Sequence, residues 1–269
     1  MVPPCPGRGA TTINRRMASV TSVCAVVRAG ADAAATVAAL DAQTRPPDAR
    51  RVLAAPAASV GEAIGAARDL DAEWLWLLEP DVQPAPTALA ELLASLGRFG
   101  GEELPEPVLL TSKVLGPHGH LDPRSAPWLP LLGTERIVQA CRRRVVAVRL
   151  ARWGSLLVRR DLVSVHGAPR ADYAGGADDL EWTARVLRDG AGYLVPRSVA
   201  VRSGTAVAGP PAAEVRDRAR MLRGSGWVAH EPVWFGFLLA VDVARAAAER
   251  PRSVPRLLRA VASGVRARP

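Results

Sequence analysis

Apolar residues along the chain fall into two textures. Between residues 20 and 100, short β-branched or aliphatic runs alternate with alanine-rich stretches. "VTSVCAVV" (20–27) is followed by an alanine-rich segment over 31–42 and the turn "TRPPD". Then come "RRVLAA" (50–55), a segment over 60–69, "EWLWLL" (73–78) and a segment near 86–97 that opens at Pro86. Apolar runs bounded by turn residues predict strands, and the segments between them predict helices. Strands alternating with helices predict βαβ units. The expected fold class is therefore α/β, with a mostly parallel sheet covered by helices on both faces.

After Gly100 the pattern loosens. "PVLLTSKVLGPHGHLD" predicts a hairpin around Pro117 to Gly119, and residues 123–143 are rich in proline and arginine with weak periodicity. "GSLLVRRDLVSVHG" (154–167) predicts a strand and a short helix, "YAGGADDLEWTARVLRDG" (173–190) a helix stopped by Gly190, and "GYLVPRSVAVRSG" one or two further strands. From about residue 212 the pattern is helical and basic. Residues 1–18 are expected to form a disordered leader, with Met17 an alternative start. Residues 19–226 are expected to form the main domain, and 227–269 a basic helical extension. Trp74 and Trp76 are expected to pack on helices on opposite sheet faces.

Composition narrows the classes. A chain of 269 residues with 49% hydrophobic and 23% charged content is globular and long enough for a sizeable core. The formal charge is +9, yet Lys113 is the only lysine, so arginine supplies the rest of the basic charge. Without interleaved aromatics or a recognised binding motif, that charge does not predict nucleic-acid binding. Cys5, Cys24 and Cys141 lack metal or disulfide spacing and suit a reducing cytoplasm. No apolar run is long enough to span a membrane, and the N-terminus has no secretory h-region. His118, His120, His166 and His230 are scattered, and the first two fall in the predicted hairpin.

Two acidic clusters are candidates for chemistry. Glu79 and Asp81 stand directly after the strand "EWLWLL", at the edge where parallel sheets bind ligands. Two carboxylates so placed can hold a divalent cation, or they can cap the following helix. Asp178, Asp179 and Glu181 open a helix directly after Gly175 and Gly176. Its dipole favours ionised carboxylates there, and the glycines allow close approach to a substrate. The alternative is an ordinary capped helix start, with Glu181 in a capping box. Trp153 could stack on a sugar or pack in the core.

The runs "LDAQTRPPDARRVLAA", "ARDLDAEWLWLLEPDVQPAPTAL", "GSLLVRRDLV" and "ADDLEWTARVLRDGAGYLVPRSVAV" together resemble a family 2 glycosyltransferase of the actinobacterial galactofuranosyl- and rhamnosyltransferase-like kind, over residues 20 to 226. The resemblance implies a GT-A fold and an inverting transfer of sugar from a nucleotide-diphosphate donor to a cell-envelope glycan, with Mg²⁺ or Mn²⁺. It implies that Glu79 and Asp81 face the metal and the donor diphosphate. Asp178 and Asp179 fall on the family's acidic pair, with Asp179 the general base. Gly175, Gly176, Glu181 and Trp153 would border the substrate.

The chain departs from that pattern on the donor side. "VVRAGAD" and "LAAPAAS" replace polar stretches, leaving Arg28 and Asp32 as substitutes, and Arg202 stands where a metal-binding histidine is expected. An arginine there could pair with the diphosphate in place of the metal. The rival implication is a catalytically silent GT-A domain that serves as a binding or scaffold partner. Residues 231–269 are expected to lie on an anionic membrane, which suits a lipid-linked acceptor and a cytoplasmic enzyme peripheral to the plasma membrane, or else to pack back onto the domain.

Overall fold

The computed structural model of the chain describes residues 21–28, 30, 32–53, 64, 71–100, 104–131, 133–173, 176–204, 211–228 and 230–267. The expected leader and most of the helix expected over 60–69 lie outside these residues. In chain order the elements are β1 (Val23–Val27), α1 (Ala33–Asp41), β2 (Ala49–Val52), β3 (Trp74–Leu78), β4 (Val82–Pro84), α2 (Ala88–Leu96), β5 (Pro107–Leu115), α3 (Thr134–Arg142), β6 (Val146–Val148) and β7 (Ser155–Arg159). They continue with α4 (Leu162–His166), α5 (Asp178–Asp189), β8 (Ala191–Arg202), α6 (Ala212–Met221), α7 (Glu231–Glu249) and α8 (Val254–Arg266).

The strands form one sheet in the order β2-β1-β3-β7-β5-β8-β4, with β6 also paired to β8. Among the described residues, β1, β2, β3, β5 and β8 run one way, whereas β4, β6 and β7 run against them. The mostly parallel α/β sheet is therefore present, with an antiparallel strand, β7, at its centre. Alternate residues of β1 and β3 enter two separate cores. Cys24, Val26, Leu75 and Leu77 pack on one face with Trp153 and Trp182, whereas Val23, Ala25, Val27, Trp74, Trp76 and Leu78 pack on the other with Leu89 and Leu92. Trp74 and Trp76 thus share one face, as the two-residue period of a strand demands, rather than taking opposite faces.

Register decides where the site forms. Val27 pairs with Leu78 and Leu78 with Ser155, so the carboxyl ends of β1 and β3 lie beside the amino end of β7. Arg28, Glu79 and Trp153 follow or precede those positions by one or two residues and meet at a single sheet edge. The predicted hairpin is present as a turn in which Gly116 N–H bonds the His120 carbonyl at 2.8 Å, with Leu115 bridged to Leu121. It delivers Asp122 back to the same edge.

The C-terminal helices pack onto the domain. Leu239, Ala246 and Leu257 of α7 and α8 share a buried cluster with Val215 and Ala219 of α6. Phe235 joins Tyr173, Leu180 and Met221 in another. Of the two fates open to residues 231–269, packing back is thus observed, though Val233, Trp234 and Phe237 remain exposed. Among the described residues no helix is long and apolar enough to cross a membrane.

Candidate active site

The turn Glu79-Pro80-Asp81 links β3 to β4 and is anchored from both sides. The buried Thr36 hydroxyl of α1 bonds the Pro80 carbonyl at 2.6 Å, and Glu79 N–H donates to the Gly154 carbonyl at 3.1 Å. Neither carboxylate caps a helix. Both accept from Arg202 at the end of β8: its Nη1 reaches Glu79 Oε2 at 2.6 Å and also bonds Asp81 Oδ1. Arg202 Nε donates to Asp122 Oδ2 at 2.7 Å and Nη2 to Ser125 Oγ at 2.8 Å. Arg202 is 2% exposed, so a buried guanidinium stands at the centre of three carboxylates. Despite the cost of burial, Glu79 and Asp81 hold its pKa above the ordinary arginine value. Burial pushes the Glu79 carboxyl up, against the pull of Arg202. Asp122 is held below the usual carboxylate range, because the Ser125 hydroxyl and Arg202 outweigh its burial.

The second acidic cluster meets the first across a cavity of about 490 Å³ lined by Arg28, Glu79, Arg124, Arg152, Asp178, Asp179 and Arg202. Helix α5 begins at Asp178 after Ala177, which has no polar side chain, so the alternative of a capping box is not what forms. Asp178 and Asp179 instead occupy the first turn, where free N–H groups and the helix dipole favour negative charge. Asp179 is clamped: Oδ2 accepts from Trp153 N–H at 2.9 Å and Oδ1 from Leu180 N–H at 2.6 Å. Burial, and then repulsion from Asp179, push Asp178 up to about 6, with Arg28 pulling the other way. Gly176 lines the cavity with φ +109°, a backbone region that favours glycine.

Several expected site residues are placed elsewhere. Glu181 faces away and pairs with Arg185, whose Nε donates at 2.7 Å to Oε1 and Nη2 at 3.0 Å to Oε2, so it does not border the cavity. The Trp153 ring is 4% exposed and sits edge-on to Trp182 at 6.5 Å, which makes it a core residue that offers the cavity little more than an edge. Asp81 is held by Arg202 and does not line the cavity. Gly175 lies outside the described residues. Arg28 does face the cavity, with Nη1 3.7 Å from Glu79 Oε1.

Other residues complete the site without having been expected. Arg124 lines the cavity, donates Nη2 to the Gly204 carbonyl at 3.0 Å and stands 3.5 Å from Asp122 and 3.9 Å from Asp81. Arg152 is paired with Glu214, and despite its burial Asp179 and Glu214 hold its pKa above the usual value. Arg218 of α6 bonds Asp242 of α7 at 2.8 Å, so the C-terminal extension contributes to the cavity wall. The segment around Asp122 and Arg124 has too little periodicity for its position to be read from sequence.

The shape of the molecule has counterparts among solved structures. S. aureus TarS 1-349 in complex with UDP superposes with a TM-score of 0.60 at 11% identity, over 90% of this chain and 80% of that one. The same protein in complex with UDP-GlcNAc gives 0.60 at 11%, over 92% and 82%. GalNAc-T7 with UDP, GalNAc and Mn²⁺ gives 0.51 at 13%, over 87% of this chain and 57% of that one. The fold is that of the GT-A glycosyltransferases. No known family pattern and no curated protein matches the sequence. Within this GT-A fold the carboxylates expected to hold a divalent cation do not fit one. Glu79 and Asp81 each spend an oxygen on Arg202, whose guanidinium fills the space between them and Asp122, and among the described residues no group of three or more His, Cys, Asp or Glu side chains is placed to hold a metal ion.

Proposed function

We propose that the chain is a glycosyltransferase that moves a sugar from a nucleoside-diphosphate donor to a glycan hydroxyl with inversion. The observation that carries this reading is the convergence of Glu79, Asp178 and Asp179 on one cavity at the ligand-binding edge of the sheet. In the proposed reaction the acceptor oxygen attacks the anomeric carbon as its bond to the donor's diphosphate breaks. The departing diphosphate takes the electron pair, and the hydroxyl proton passes to the carboxylate pair. Asp179 is the proposed base: two backbone N–H groups fix its direction, while its remaining lone pairs are free to accept. Arg28 and Arg124 face the developing charge on the diphosphate.

The family 2 assignment, a cell-envelope glycan acceptor, lipid-linked or free, a cytoplasmic location and a peripheral membrane contact through residues 231–269 belong to the same proposal. A second reading, a silent GT-A domain acting as a scaffold, is favoured by the commitment of Glu79 and Asp81 to Arg202. A thermal-shift screen against nucleotide sugars separates the two. Stabilisation by one donor, followed by transfer of labelled sugar to a glycan, supports the enzyme. Silence across all donors favours the scaffold.

A further inference from the structure

The carboxylate cluster at the sheet edge already contains its cation. Arg202 directs Nε, Nη1 and Nη2 at Asp122, Glu79, Asp81 and Ser125, which uses four of its five N–H groups. Its side chain is 3% exposed, so it is fixed between the strands and has little left to offer a ligand. Around it, Glu79, Asp81 and Asp122 carry three negative charges, and Arg202, Arg124 and Arg28 carry three positive ones. A divalent ion entering this balanced group would add two positive charges beside a buried guanidinium that cannot give up its proton.

Arg124 differs from Arg202 in its commitments. Its side chain is 32% exposed and lines the cavity, and its contacts with Asp81 and Asp122 are long, at 3.9 and 3.5 Å. Its Nε makes no hydrogen bond and is buried against Asp122 Oδ1 at 3.5 Å. A half-exposed guanidinium held by such long contacts can turn to a phosphate in the cavity at little cost. Arg28 is more exposed still, at 45%, and faces the same space.

We infer that this chain binds a nucleoside diphosphate without a divalent cation: Arg202 occupies the cation's place as an internal charge, and Arg124 and Arg28 turn from the carboxylates to the phosphates. The inference rests on the proposed donor-binding role and specifies how that role is met.

Isothermal titration of the full chain with UDP, GDP and dTDP, in EDTA and in Mn²⁺, tests it. The expected result is binding of at least one of them with the same Kd in both buffers, weakened roughly tenfold or more in Arg124→Ala. Binding that appears only with Mn²⁺ overturns the inference and leaves the donor role standing. Absence of binding in either buffer overturns both. As a second readout, Mn²⁺ should leave the melting temperature of the native chain unchanged but raise that of Arg202→His, in which a neutral imidazole joins the three carboxylates. A melting shift of the native chain with Mn²⁺ counts against the inference even if the histidine variant does not fold.

Discussion

Asp178 and Asp179 are neighbours with different environments. Asp179 has two N–H donors directed at it, whereas Asp178 stands half-buried beside a second negative charge and is pushed up to about 6. A carboxyl whose folded pKa lies above its unfolded value favours the fold when protonated. That contribution is present below about pH 4 and is lost as pH rises through about 6. At pH 8 the ionised Asp178 therefore opposes folding, by something on the order of 3 kcal/mol. Asp178→Asn should raise the melting temperature at pH 8 and leave it nearly unchanged at pH 4, a comparison that scanning calorimetry makes directly. For transfer the sign is opposite, because a base must be ionised. Activity should fall as pH drops through about 6, where Asp178 takes up a proton beside the base. Asp179→Asn should lower kcat by roughly 10²- to 10⁴-fold while nucleotide binding persists. A variant that keeps its kcat would remove Asp179 as base. Both carboxylates were legible from their place at a helix start. The turn of Glu181 towards Arg185 is not legible, because nothing in spacing distinguishes a ligand-facing carboxylate from one that pairs with an arginine four residues on.

At the scale of elements, β1, α1, β3 and α2 fall where the apolar runs and the alanine-rich stretches place them, and every strand position in β1 and β3 is buried, whereas β2 is exposed throughout and most of the helix expected over 60–69 lies outside the described residues. Direction within the sheet does not show in such a pattern, which is why the antiparallel β7 is invisible in sequence. Strand β8 reads as one or two because Pro196 falls in a register shift: Ser112 pairs with Val195, and the next residue, Lys113, with Val199. Helix α3 went unrecognised because it buries only Ala140. The C-terminal helices depend on two contacts that can be cut. Arg149 binds Glu231 through Nε and Nη2, both at 2.7 Å, and donates to the Ala184 and Gly226 carbonyls, tying the start of α7 to the domain. Arg149→Ala strands the Glu231 charge and should cost about 3 kcal/mol in denaturant unfolding. Gly264 lets α8 approach α6 so closely that an added Cβ would collide with the Arg216 carbonyl oxygen, a backbone atom that cannot rotate away. Gly264→Ala should release α8, seen as earlier proteolysis at the C-terminus with the sheet core still protected.

For the whole molecule, the packing of α7 and α8 leaves one face unusual. Trp234 and Phe237 stack at 5.2 Å and stay 41% and 55% exposed, beside Val233 at 77%. Exposed Leu129 and Leu131 line the same shallow pocket as Trp234. Residues 231–269 contain seven arginines against Glu231, Asp242 and Glu249. Two of those acids are turned inward onto Arg149 and Arg218, so the outward charge is more basic than the composition implies. An apolar patch beside exposed arginines is the chemistry that an anionic bilayer recognises, with the aromatic rings entering the interface and the guanidinium groups holding phosphates. Trp128 borders both this pocket and the candidate active-site cavity, so a chain seated by this patch would bring its cavity close to the lipid surface. In flotation with phosphatidylglycerol vesicles the full chain should rise with the lipid, and with phosphatidylcholine vesicles it should not. Trp234→Ser combined with Phe237→Ser should abolish flotation without lowering the melting temperature, because neither ring belongs to the core. Equal recovery of native and double variant with the vesicles would show that the patch does not face a membrane.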